Sequence, residues 1–221
     1  MLDAGHGLTT SGKRTPGGMK EYEFNTQVAD YAKNLLSAYE KVIVFFTHSN
    51  TRDVPLTERT NNANAKNVNV YVSIHANAYG SGGWNEISGI ETYVHPSRPS
   101  DALSLGKKIQ ANLVAASGLS DRGVKTADFH VLRETKMTAV LIECGFMTNR
   151  GDAALLKSDR YRKLVAEGIV KALATQYKLK KKKTGLYKVQ VGAFSSKANA
   201  EQLANQLKQK GFSSYIKCEE A

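Results

Sequence analysis

The sequence predicts an α/β protein: a mostly parallel or mixed twisted sheet flanked by helices, with a small βαβ unit appended at the C-terminus. Three observations carry this reading. Strand and helix signals alternate through the first 177 residues, the pattern of strands joined by crossover helices. The longest apolar runs, Val42 to Phe46 and Ala139 to Cys144, are strand-sized and fall well short of the roughly 18 to 20 residues that cross a membrane. After a lysine-rich stretch the strand–helix–strand pattern starts again at Leu186.

Taken in order, Glu21 to Tyr39 reads as an amphipathic helix, because Phe24, Val28, Tyr31, Leu35 and Tyr39 repeat at helical spacing. Val42 to Phe46 follows as a continuous apolar strand suited to burial on both faces. Pro55 to Lys66 is a polar helix, and Val68, Val70, Val72 and Ile74 alternate as a strand that delivers His75 at its end. Ile90 to His95 is a further strand. Asp101 to Ala116 is a helix with Leu105, Ile109 and Leu113 on one face and Gly118 near its end. Ala139 to Cys144 is a central strand carrying Glu143, and Tyr161 to Tyr177 a closing helix built on Leu164, Val165, Ile169 and Leu173. Gly7 to Met19 and Ala78 to Glu86, rich in Gly, Ser and Thr, are loops around a cleft. In the tail, strands at Leu186 to Val191 and Phe212 to Lys217 flank a helix at Ser196 to Lys210 that Gly211 stops. A unit of fewer than 40 residues cannot bury enough apolar area alone, so it is expected to pair with something.

With 221 residues, 41% of them hydrophobic, the chain can build one ordinary core and a smaller appendage. Cys144 and Cys218 lie in different predicted domains, which argues against a disulfide framework; Cys144 alternates away from Glu143 and reads as a small buried hydrophobe. The net charge of +11 is uneven: Lys and Arg outnumber Asp and Glu by 21 to 17 over residues 1–177 and by 10 to 3 over residues 178–221. The run Lys178, Lys180, Lys181, Lys182 and Lys183 is expected to stay extended and solvated, either as a plain linker or as a site attracted to polyanions. Tyr187, Phe194, Phe212 and Tyr215 fit core or strand positions better than base-stacking platforms, so neither nucleic acid nor membrane is expected as a partner.

His6, Glu21, His75 and Glu143 each sit where a predicted element begins or ends, where rigid elements can converge side chains. Two histidines with one glutamate form one of the sets that hold a catalytic zinc and leave a fourth position for water. Glu143, in Val140-Leu141-Ile142-Glu143-Cys144, is suited to moving the proton; such a carboxylate is costly to bury unpaired and should face a polar cleft or a cation. The histidines lie just past strand ends, where α/β sheets bind ligands. Spacing alone leaves the set open, because 14 and 53 residues separate the three candidates, unlike a local H-E-x-x-H helix. His48, His95 and His130 compete. The first two read as strand-end surface residues, the third could point into a cleft, and each is expected to have a non-ligand role.

Four stretches, Leu2-Asp3-Ala4-Gly5-His6-Gly7, Gly18-Met19-Lys20-Glu21-Tyr22-Glu23-Phe24-Asn25, Ser73-Ile74-His75-Ala76-Asn77-Ala78 and Val140-Leu141-Ile142-Glu143-Cys144-Gly145-Phe146-Met147-Thr148-Asn149, resemble in order the zinc-dependent N-acetylmuramoyl-L-alanine amidases of the amidase 3 family. The likeness extends to sporulation autolysins of the bacillus type and related phage lysins through Phe129-His130-Val131-Leu132-Arg133-Glu134. The resemblance implies one Zn2+ held by His6, Glu21 and His75, with Glu143 as the catalytic carboxylate. The implied reaction is hydrolysis of the amide between the lactyl group of N-acetylmuramic acid and L-alanine in peptidoglycan. Glu21, which follows the Gly-x-x motif directly, rather than Glu23, aligns with the family's ligand.

Leu186-Tyr187-Lys188-Val189-Gln190-Val191-Gly192-Ala193-Phe194-Ser195 with Ala198-Asn199-Ala200-Glu201 resembles a sporulation-related (SPOR) repeat, which implies binding to peptidoglycan glycan. That family uses two βαβ repeats, and this tail has one, half of the α+β domain. The resulting expectation is a catalytic domain over residues 1–177, a Lys-rich linker over 178–184 and a single SPOR-like repeat over 185–221. The linker would attract anionic wall polymers and the half repeat would self-associate or dock. A short first strand before the Asp-x-Gly-His motif could loosen His6, which keeps open the alternative of a peptidoglycan-binding protein with an impaired catalytic domain. The first residues lack the basic and apolar regions of a secretory signal, so action at the cell wall is expected to follow release by lysis or a phage holin.

Overall fold

Side chains alternate across the two central strands, and this alternation divides the molecule into a thick apolar face and a thin chemical one. The structure is a computed structural model that describes residues 1–183, 185 and 188–219. Five strands, β1 (Leu2–Ala4), β2 (Val70–Asn77), β3 (Ile90–Val94), β4 (Asp121–Thr126) and β5 (Thr138–Phe146), form one sheet in the order β1-β2-β5-β3-β4. β1, β2 and β5 run parallel, β3 is antiparallel to β5, and β4 is parallel to β3. The sheet is therefore mixed.

Val72, Ile74 and Ala76 of β2, with Val140, Ile142 and Cys144 of β5, point into the main core. Over that face pack α1 (Glu21–Leu36), α3 (Ser100–Ser117) and α6 (Asp159–Gln176). The opposite set, Tyr71, Ala139 and Leu141, joins a smaller cluster with Ala63 of α2 (Leu56–Ala65) and Val131 and Leu132 of the short α4 (His130–Arg133). His75 and Glu143 continue this second set by the strand period of two. They thus lie on the face with little helical cover.

The buried stripe of α1 is Phe24, Val28, Ala29, Ala32 and Leu36, while Leu35 stays exposed. The predicted stripe through Leu35 is rotated because the two alanines let the helix approach the sheet closely. Gly118 ends α3 in the left-handed conformation, at φ 70°. A helix absent from the sequence reading, α5 (Arg150–Lys157), starts at Asn149, whose side chain accepts from the Gly151 and Asp152 N–H groups.

Val42 to Phe46 is not the buried strand its composition predicts. It meets β1 at one bridge, Leu2 to Phe46, and Ile43 is 76% exposed. With β1 spanning only Leu2–Ala4, the neighbouring segment finds few ladder partners: Leu2 donates to Phe45 and Thr47 donates to Leu2. Conversely, β4 was hidden because its sequence, DRGVKT, has little β propensity. It pairs as an edge strand, with a register shift where Gly123 takes φ 80°.

One buried ion pair ties the thin face together. Asp3 Oδ1 accepts from Arg59 Nη1 at 2.7 Å and from the Thr47 hydroxyl, and Oδ2 accepts from the Ser73 hydroxyl at 2.6 Å. Arg59 also donates to the Val54, Ala4 and His6 carbonyls at 2.8, 2.6 and 2.6 Å. Burial raises the Asp3 carboxyl, but Arg59 and the two hydroxyls outweigh it and hold the group below its usual range.

The chain divides into two compact units, Met1–Lys182 and Lys183–Ala221. The lysine run is tethered to the first of them as far as Lys182. Glu40 donates to the Lys180 carbonyl at 2.8 Å, Lys182 donates to the Ala38 carbonyl at 2.7 Å, and Leu179 packs on the main core. Its backbone is thus held where charge alone suggested a free linker, while the lysine side chains remain in water.

In the second unit, α7 (Lys197–Gln209) forms where a helix was expected and buries no residue. The strands expected beside it are absent among the described residues: 188–191 and 212–217 pair with nothing, and Leu186 and Tyr187 lie outside those residues. Val189 and Phe212 are largely exposed. None of the described helices is long and apolar enough to cross a membrane.

Arg59→Met should strand Asp3 as an unpaired buried charge and cost about 3–5 kcal/mol, measurable by urea unfolding near neutrality. Because the Asp3 pKa is lowered on folding, its contribution is present above the ordinary carboxylate value of about 4 and is lost as pH falls through the lower folded value. Asp3→Asn should therefore reduce the loss of stability on acidification, against a lower starting stability.

Candidate metal centre

The ends of three elements bring His6, Glu21 and His75 together. β1 ends at Ala4, and Gly5 donates to the Ile74 carbonyl at 3.0 Å, so the chain turns beside the last residues of β2. A Cβ on Gly5 would overlap the His75 ring; glycine there lets the backbone pass under the imidazole. His6 then takes a left-handed conformation, φ 61°, which is uncommon for a residue with a side chain. Its carbonyl is held by Arg59.

Glu21 is the first residue of α1 and is 2% exposed. A carboxylate there meets the positive end of the helix dipole. Oε1 accepts from the Ala76 N–H at 3.1 Å and from Asn25 Nδ2 at 3.2 Å, one helical turn on, and lies 3.0 Å from His75 Nδ1. Oε2 lies 3.2 Å from His6 Nε2. Burial opposes ionisation, yet the two imidazoles hold the Glu21 pKa far below the usual range. Burial likewise disfavours the charged His75, but Glu21, with Glu143 and Asp3 beyond it, raises that histidine to about 9.

One donor atom from each residue lies within 4.8 Å of the others, and the imidazole rings stand perpendicular with centroids 5.0 Å apart. Two nitrogens and a carboxylate oxygen, converging on a site that favours positive charge, fit a divalent cation. The group could hold a metal ion.

Glu143 stands opposite His75 in the parallel register of β2 and β5, on the same face. Its Oε2 is shielded from solvent and has no hydrogen-bond partner among the described residues. Burial pushes its pKa up to about 8, with Glu21 and Glu91 adding to the shift against His75 and Lys13. His6, His75 and Glu143 line a cleft of 560 Å³ whose wall includes Lys13, Phe129 and His130.

His130 does reach the cleft, but its Nε2 is paired with the Thr60 hydroxyl at 3.3 Å. His48 packs on Phe46 and receives the Ala4 N–H, and is more enclosed than its predicted surface role. His95 contacts Ser97 and Asp128. None of the three joins the donor group found among the described residues. Cys144 is buried on the opposite face.

Sequence reasoning missed the residues that hold the donors. Asn25 bonds both Glu21 and the Gly5 carbonyl, at 3.2 and 3.0 Å. Its signals were its place at the end of the Gly18 to Asn25 stretch and a polar residue four positions after Glu21, within a helix face otherwise apolar. Arg59 carried a weaker signal still, as a charge in a polar helix.

A mixed α/β sheet with a His/Glu/His group at the carboxyl ends of its strands, and a carboxyl of raised pKa beside it, is a frame for hydrolytic chemistry. The chain belongs to the N-acetylmuramoyl-L-alanine amidase family, whose sequence pattern matches residues 1–175; the SPOR domain pattern matches residues 161–220. It is 38% identical over 217 residues to the N-acetylmuramoyl-L-alanine amidase CwlM of Bacillus licheniformis, covering 98% of this chain and 83% of that protein. It is 36% identical over 218 residues to the sporulation-specific N-acetylmuramoyl-L-alanine amidase of Bacillus subtilis (strain 168), with the same coverage. Among solved structures it is similar to the catalytic domain of CwlV, an N-acetylmuramoyl-L-alanine amidase from Bacillus (Paenibacillus) polymyxa var. colistinus. The TM-score is 0.73 at 34% identity, covering 80% of this chain and 97% of that one.

Asn25→Ala removes the side chain that orients Glu21. It should weaken divalent-cation affinity about 10–100-fold, read by competition with a chromogenic chelator, while the fold persists by circular dichroism.

Proposed function

We propose that this amidase acts at the cell wall through one Zn2+ held by His6, Glu21 and His75, with Glu143 as the proton carrier. The bond it cleaves is the amide between N-acetylmuramic acid and L-alanine of peptidoglycan. The observation that carries the reading is the meeting of three donor atoms within 4.8 Å beside an unpartnered Glu143 oxygen.

Zinc bound there would polarise the scissile carbonyl and lower the pKa of water toward about 7. The rest falls to the chain. Glu21, fixed by Asn25 and the Ala76 N–H, supplies the negative charge of the donor set and holds both imidazoles in place. Glu143 Oε2, without a hydrogen-bond partner among the described residues, accepts the proton of the attacking water and passes it to the leaving alanine nitrogen. Its raised pKa brings the carboxyl nearer to neutrality, where both directions of transfer are accessible. The cleft wall of Phe129 and His130 limits the water around that exchange.

The rival reading, a wall binder with an impaired catalytic domain, rested on a loosely anchored His6. Its support is weakened by the Arg59 bond to the His6 carbonyl and the Gly5 bond to Ile74. Residues 1–177 serve catalysis on our reading. Residues 185–221 act as a wall-binding SPOR-like repeat that pairs with a second copy, and the exposed lysines of 178–184 attract anionic wall polymers.

On purified sacculi the protein should generate new L-alanine amino termini without new reducing sugar ends, and lose this activity with a zinc chelator. Glu143→Gln should keep stoichiometric zinc while losing about 10²–10⁴-fold in turnover; loss of zinc instead would place Glu143 among the ligands. Deleting residues 183–221 should reduce co-sedimentation with sacculi and leave turnover of a soluble muramyl peptide unchanged.

A further inference from the structure

The face that carries His75 and Glu143 continues across the sheet into a second charged group that the chemistry above does not use. Glu91 of β3 lies opposite Glu143 in the antiparallel register, so His75, Glu143 and Glu91 form a row across three adjacent strands. Glu91 is 3% exposed, and both of its oxygens are occupied. Oε1 accepts from Arg122 Nε at 2.5 Å and Lys125 Nζ at 2.6 Å; Oε2 accepts from the Tyr93 hydroxyl at 2.6 Å and Asn77 Nδ2 at 3.1 Å. Burial opposes ionisation of Glu91, but these donors keep its pKa below the usual range.

Two cations, Arg122 and Lys125, share one buried carboxylate, while the Asp121 carboxylate of β4 is bonded to Gln110 instead. The donors are in excess. Arg122 spends only Nε on Glu91, and among the described residues its two terminal nitrogens make no hydrogen bond. Its guanidinium is nevertheless fixed: it lies 5.1 Å over the Phe146 ring, and its stem lies against Gly89, where a Cβ would come within 2.9 Å of Arg122 Cγ and Cδ. Both cations are partly exposed, with side chains 34% and 38% accessible for Arg122 and Lys125. A partly exposed guanidinium held at Nε, with both terminal nitrogens unbonded among the described residues, matches the two oxygens of a carboxylate.

We infer that Arg122 and Lys125 form an anion subsite that takes a carboxylate of the substrate's peptide stem. β4 lies two strands from β5, a separation of about 10 Å at the usual strand spacing. An extended peptide covers that distance in about three residues, so the carboxylate belongs to the second or third residue beyond the cleaved amide. The subsite rests on the amidase reading and makes the enzyme selective for stems whose carboxylates are free rather than amidated. Glu91 is a positioning residue in this arrangement, holding the cations in place without touching the substrate.

The test uses the full chain and two soluble N-acetylmuramyl tripeptides that differ only in whether the stem carboxylates are free or amidated. The wild type should favour the free acid by about tenfold in kcat/KM, the worth of one charge-assisted hydrogen bond, with the difference in KM. Arg122→Gln should abolish that preference by lowering kcat/KM on the free acid far more than on the amidated substrate; Lys125→Gln should reduce it, and Arg122→Lys should retain part of it. Equal handling of both substrates by the wild type, or equal losses on both in Arg122→Gln, would overturn the subsite and leave a structural role. If neither tripeptide is cleaved, the amidase reading fails. Titration of the wild type with the free and amidated stem tripeptides alone then decides the subsite, equal affinities counting against it.

Discussion

The pairing of Asp3 with Arg59 is the constraint on which the rest of the chemical face depends. One guanidinium spans the end of β1, the segment before α2 and the backbone of His6, while one carboxylate gathers Arg59, Thr47 and Ser73. Few apolar contacts are available on this side of the sheet, because its helical cover is limited to α2 and the four-residue α4. Hydrogen bonds and charge therefore set the position of His6, where on the other face packing of α1, α3 and α6 does the same for the strands. A buried pair of this kind adds little net stability compared with a hydrophobic replacement, but it defines geometry by direction and distance.

The donor set follows the same logic at closer range. Glu21 is buried at a helix start, bonded by Asn25 and Ala76 and flanked by two imidazoles, so the carboxylate has one orientation in which its bonds are satisfied. Glu143 is the contrasting case. Its buried Oε2 has no hydrogen-bond partner among the described residues, and its pKa rises where that of Glu21 falls. Two neighbouring glutamates are thereby separated by their surroundings, one held anionic and the other with its pKa raised, the separation on which the proposed roles rest.

Much of this was legible in the sequence where periodicity and motif coincide. β2, β5 and α3 were visible because alternation or helical repetition marked them, and the four motif stretches marked His6, Glu21, His75 and Glu143. Legibility failed where tertiary partners override composition. Val42 to Phe46 looks like a buried strand and lacks the neighbour to become one, whereas Asp121–Thr126 looks polar and is recruited at an edge. The lysine run looked free because charge reports on side chains, and its backbone is held by Ala38 and Glu40 in the turn that follows α1. Arg59 and Asn25 were hidden for a related reason: a residue that acts by holding another has no pattern of its own until the second residue is in place.

The in-register row of His75, Glu143 and Glu91 links the chemistry to strand pairing. If β5 slipped by a single position, Cys144 or Ile142 would face the cleft and Glu143 would enter the apolar layer beneath α1 and α6. Such a slip would destabilise the protein, since a carboxylate would be trapped among Val, Ile and Leu, and would remove the proposed proton carrier from the cleft. Misaligned chains are thus selected against during folding itself, and a correctly paired sheet and a competent cleft arise together.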